Sequence, residues 1–64
     1  MNIKKLESKV KDLEERRERI LDFIDRNKNN HEMLDFVNIS KGQALEILAW
    51  ISYVQCLIKE LKGE

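Results

Sequence analysis

Cys56 and His31 are the only cysteine and the only histidine in the chain. They are the residue types from which a nucleophile and its base would be drawn. No spacing joins them, since one sits inside an apolar run and the other in a polar stretch rich in asparagine. A thiol between Gln55 and Leu57 in such a run is expected to be a buried, inert side chain. His31 is expected to be solvated or to cap a helix. A single thiol and a single imidazole make neither an intramolecular disulfide nor a Cys/His zinc centre. No metal and no cofactor is therefore expected.

Five carboxylates, Glu14, Glu15, Glu18, Asp22 and Asp25, crowd a short stretch in the manner of a metal or acid/base cluster. Their basic neighbours argue otherwise. Glu7 and Lys11, Asp12 and Arg16, Glu15 and Arg19, and Asp22 and Arg26 each stand four places apart, acid first. Such pairs add about 0.2–0.5 kcal/mol each to an exposed helix. A solvated charged face accounts for them. No glycine-rich phosphate loop exists, because Gly42 and Gly63 are the only glycines. The expectation is that the chain is not an enzyme.

Arg16, Arg17, Arg19 and Arg26 are the residues that would meet phosphate. Residues 1–28 carry nine basic side chains against seven acidic ones, and the whole chain twelve against twelve. That balance offsets the field on which nucleic-acid affinity depends. No aromatic residue is interleaved with the arginines for base stacking. A helix-turn-helix over Asn38 to Trp50 would need a polar N-terminal face on its reading helix, yet Leu45, Ile47 and Leu48 follow at once. A nucleic-acid-binding regulator using the arginines of the first helix stands as an alternative, not as the leading expectation.

The elements that carry these residues are all helical by pattern. Ile3, Leu6, Val10, Leu13, Arg17, Ile20 and Ile24 recur at steps of three and four, which predicts an outer amphipathic helix over about 2–28. Residues 29–39 should form a connector or a short helix over about His31 to Val37, capped by Asn30. Ser40-x-x-Gln43 fits a capping box and predicts a central helix over about 40–62, closed by Gly63. The chain is read as one helical domain.

That last helix is the dominant feature. Thirteen of the eighteen residues from Ala44 to Leu61 are apolar, and Ile47 to Ile58 carries no charge. Ser52, Gln55, Lys59 and Lys62 mark the only wet stripe. A helix apolar nearly all round belongs in an interior. Packing the narrow face of the first helix against one side leaves some of Trp50, Tyr53, Val54, Leu57 and Leu61 facing water, a loss of several kcal/mol. Chains near this length are marginal alone, and without disulfide or metal the remedy is oligomerisation. The predicted architecture is an all-α two-helix hairpin that dimerises into a four-helix bundle.

The expected dimer interface is Ala49, Trp50, Ser52, Tyr53, Cys56, Leu57 and Leu61. Ala49, Ser52 and Cys56 form a small-residue seam that suits close approach of two central helices or fits beneath the first helix. A second alternative is a structural coiled-coil piece in which the first helix pairs in parallel with its own copy, Lys9 meeting Glu14 of the partner.

The charge-free run is short for a bilayer, which needs about 20 residues. Neither a membrane span nor an export signal is expected, and the unpaired thiol points to the cytoplasm. Architecture alone is similar to the small helical-hairpin dimers among plasmid, phage and sporulation regulators. The Ser-Gln-Glu-Leu-Asp motif of the sporulation aspartyl-phosphatase hairpins is absent; the corresponding stretch reads Ser40, Lys41, Gly42, Gln43, Ala44. The functional expectation is a small non-enzymatic homodimer that binds and modulates another protein. A phage, plasmid or bacterial regulator acting on a host transcription factor or regulatory protein fits that description. Its expected partner-binding residues are Arg16, Arg19, Arg26, Met33, Phe36 and Val37.

Overall fold

The computed structural model describes residues 2–63 and shows two helices packed side by side. Helix α1 spans Ile3–Asn27 and helix α2 spans Leu34–Lys62, with a single 3-10 turn at His31–Met33 between them. No strand occurs among the described residues.

Local chemistry explains where each helix starts and stops. The Asn2 side chain accepts from the amides of Lys4 and Lys5 at 2.9 and 3.4 Å, relieving two N-terminal donors of α1. Asn27 ends that helix by turning its Nδ2 back onto the Phe23 carbonyl at 2.9 Å. The chain then reverses over Lys28 to Asn30. Asn30 caps the next segment, its Oδ1 accepting from the Glu32 amide at 3.1 Å. At the far end Gly63 takes a left-handed φ of 75° and donates to the Glu60 carbonyl, a conformation that glycine adopts without a Cβ penalty.

The start of α2 departs from the sequence expectation. The stretch over 29–39 is not a separate connector: its 3-10 turn runs straight into α2 at Leu34, and Ser40 lies inside that helix. No capping box forms, because the backbone is already helical six residues before Ser40. The reason is packing. Val37 is 3% exposed and Ser40 half-buried, so the turn from Leu34 to Ser40 supplies one more layer of contact with α1. Helical stability comes mainly from such burial, and it outweighs a favourable cap further along.

The helices run antiparallel, as the Glu7–Lys62 ion pair near the open end and the Arg17–Ala44 contact further in require. Each contributes one row at steps of three and four. On α1 it comprises Ile3, Leu6, Val10, Leu13, Arg17, Ile20 and Ile24; on α2 it comprises Val37, Ser40, Ala44, Ile47, Ile51, Val54 and Ile58. Val10, Leu13, Ile47, Ile51 and Val54 form the buried cluster, with Leu6, Ile20 and Ile58 against it. Arg17 interrupts the apolar row and donates from Nε to the Ala44 carbonyl at 3.2 Å, so one of its donors is paired within the seam, and no buried polar side-chain atom is left unpartnered among the described residues.

The result is a rod of 48 × 15 × 14 Å with a radius of gyration of 14.8 Å. A compact chain of this length has a radius near 11 Å. The accessible surface is 5243 Å2, against about 4,300 Å2 for a compact monomer of this mass. A two-helix rod has one seam, and everything off that seam stays wet.

Candidate interaction surface

α2 carries more apolar residues than one seam hides. Side chains one position before each seam residue project toward one flank of the hairpin. On α2 this flank comprises Phe36, Ile39, Gln43, Glu46, Trp50, Tyr53 and Leu57; on α1 it comprises Lys9, Arg16, Arg19 and Phe23. A groove of about 570 Å3 lies between the helices there. Leu13, Ile20, Ile47 and Val54 form its apolar lining, and Lys9, Arg16, Gln43, Glu46 and Trp50 complete its wall. A second depression continues it toward the turn, over Arg16, Arg19, Phe23, Phe36 and Ile39.

The aromatic centre of this flank is open. Trp50 is 54% and Tyr53 57% exposed, their rings meeting edge to face with centroids 6.1 Å apart. Phe36 and Ile39 are each 59% exposed. Monomeric proteins rarely leave contiguous apolar patches of this kind bare. The opposite flank differs, lined by Lys11, Glu14, Glu15, Glu18, Leu21, Leu48 and Gln55. On that side one ion pair crosses the seam within the chain, Glu7 to Lys62 at 3.6 Å.

Of the residues expected at a dimer interface, Trp50, Tyr53 and Leu57 share the aromatic flank, and Leu57 is half-buried. Ala49 and Cys56 lie on the outer pole beside it, both exposed. Cys56 is thus not buried within its own chain, because α1 covers only the seam side of α2. Ser52 falls on the other flank, beside Gln55, and Leu61 extends the seam row at the open end, 47% exposed. Ala49, Ser52 and Cys56 do not fit beneath α1. Val54, grouped by sequence with the residues left facing water, is covered by α1 at 7% exposed.

The partner-binding set divides differently. Arg16, Arg19 and Phe36 stand on the aromatic flank, the same side as Trp50. Arg26 is exposed and paired with Asp22 at 2.9 Å. Met33 is half-buried in the 3-10 turn. Val37 must be withdrawn from any partner surface: at 3% exposure it is a seam residue, because α2 begins before it. Lys9 enters the sequence reading only through the parallel coiled coil, and Glu46 and Ile39 do not enter it as interface residues, although steps of three and four link them with Phe36, Gln43, Trp50 and Tyr53.

Catalytic chemistry gains no geometry. His31 stands at the turn and Cys56 some 22 residues into α2, roughly 33 Å along the helix at 1.5 Å per residue. Of the four acid–base pairs expected along α1, Asp22–Arg26 forms; Asp25 pairs with Lys28 at 3.2 Å, and Glu7 turns to Lys62. No group of three or more metal-ligating side chains gathers among the described residues. No helix there is long and apolar enough to cross a membrane. Comparison with protein-family models, with curated proteins and with solved structures finds no match for this chain.

Proposed function

We propose that the chain is a small, non-enzymatic helical interaction module that pairs with itself and, as a pair, binds and modulates another protein. One observation carries the reading: Trp50, in the wall of an apolar groove that its own chain leaves open, and Tyr53, edge to face with it, are each more than half exposed. The accessible surface exceeds that of a compact monomer by about 900 Å2. A standard protein interface takes about 800 Å2 from each partner. One such contact would bring the surface of this chain to an ordinary value. The lone thiol suits a cytoplasmic setting.

Sedimentation velocity over a concentration series tests the self-association directly. A species of twice the 7.6 kDa chain mass is expected at micromolar concentration. A lone 7.6 kDa species throughout would remove the homodimer.

Nucleic-acid binding keeps one observation in its favour, the alignment of Lys5, Lys9, Arg16 and Arg19 along one exposed edge of α1, interrupted by Asp12. The apolar groove beside that edge is a poorer fit to phosphate than to protein. A low-salt mobility shift abolished by Arg16→Ala and Arg19→Ala would reverse the preference. The parallel coiled coil between two copies of α1 is less favoured, because α2 occupies the row that it would use.

A further inference from the structure

The open flank has two edges of opposite charge. On the α1 edge stand Lys5, Lys9, Arg16 and Arg19 with one acid, Asp12, a net charge of +3 when Arg26 is set aside with its partner Asp22. On the α2 edge stand Glu46 and Glu60 and no basic residue, a net charge of −2. Among the described residues neither Arg16, Arg19 nor Glu46 takes part in an ion pair within the chain.

Symmetry decides what these edges meet. A two-fold axis across the rod stacks each helix on its own counterpart, so the basic edge of α1 faces a second basic edge. A two-fold axis along the rod sets each α1 beside the partner's α2, so basic faces acidic, twice over. Rotation about that second axis leaves height along the rod unchanged. Arg16 and Glu46 line the same groove and therefore stand at similar height. Glu46 of one copy is thereby carried to the level of the partner's Arg16.

The geometry points to a second copy of this chain docked on the Trp50 flank about a two-fold axis parallel to the helices, with Glu46 facing Arg16 of the partner subunit. The two α2 helices then run parallel at the centre, each Trp50 enters the groove of the other copy, and the α1 helices lie outside. This rests on the homodimer reading above and adds the face, the axis and the charge pair that select it. Like-charge juxtaposition across an interface is strongly penalised, which is what makes the axis along the rod the favoured one.

Charge exchange tests it. Arg16→Glu and Glu46→Arg, both at exposed positions, should each fold as judged by circular dichroism. Each alone should self-associate about a hundredfold more weakly than the parent, since every dimer then holds two like-charge pairs. An equimolar mixture of the two variants should regain the parent's dimerisation, because both pairs across the mixed dimer are again opposite. A charge contact within one chain cannot be rescued by mixing. If the parent dimerises but the variants keep its affinity, or the mixture stays weak, this face or this axis is wrong while the homodimer stands. If the parent remains a monomer, the homodimer and this docking both fall, and the flank is left to a different protein.

Discussion

Dilution is the cleanest perturbation for this molecule, since it leaves every side chain in place. An isolated hairpin unfolds at a temperature that does not depend on concentration; a dimer that unfolds as it dissociates does not share that property. Unfolding enthalpy near 60 °C is about 0.7 kcal/mol per residue. For two 64-residue chains it comes to about 90 kcal/mol. A hundredfold dilution shifts a dimer's unfolding equilibrium by RT ln 100, roughly 3 kcal/mol at that temperature. With that enthalpy the midpoint falls by about 11 °C. Far-ultraviolet circular dichroism melts at ~1 and ~100 µM, in matched buffer, read this difference directly. Coincident midpoints with reversible unfolding would show that the seam between α1 and α2 is sufficient by itself. The uncovered surface of α2 would then call for no second copy.

Other expectations concern single residues. Gly42 lies inside α2 with nothing within 4 Å of where a Cβ would stand, so Gly42→Ala should stabilise by about 0.5–1 kcal/mol in chemical denaturation. Asn30→Ala removes the side-chain acceptor for the Glu32 amide and should cost about 0.5–2 kcal/mol by the same measurement. Ile51 is 6% exposed in the seam, and Ile51→Ala should cost about 2–5 kcal/mol. Leu45, 67% exposed on the flank away from the groove, makes the contrast: Leu45→Ala should stay within about 0.5 kcal/mol. A large loss at Leu45 would place an interface on the wrong side of the molecule.

The pairing of α1 with one side of α2 is legible in the sequence, because an apolar row at steps of three and four specifies a helix face independently of what covers it. Asn30 and Gly63 are legible for the same local reason, each matching one backbone requirement. Ser40 misleads. A capping box is a local preference of about 1 kcal/mol, and the burial of Val37 at 3% exposure outweighs it. Which α2 residues remain uncovered was harder to read, since an all-round apolar helix has no preferred face until a neighbour chooses one. Val54 was covered and Cys56 was not, a difference of two positions. Likewise the charges of α1 read in one dimension as offsetting pairs. Folded, Arg16 lines the groove beside Trp50 while Glu14 lines the other side, and Arg19 stands between that groove and the acids Glu15 and Glu18.

The single reversal at Lys28 to Asn30 also sets an order of assembly. The Arg17–Ala44 contact closes a loop of 27 positions, and Glu7–Lys62 closes one of 55. Each doubling of loop length adds only about 0.6 kcal/mol of closure entropy. Layers therefore zip outward from the bend, every one making the next nearly local, in the fast manner of low-contact-order chains. Loosening runs the other way, from the loose ends inward. Amide protons around Leu6 and Ile58 should exchange with solvent before those around Leu13 and Ile51.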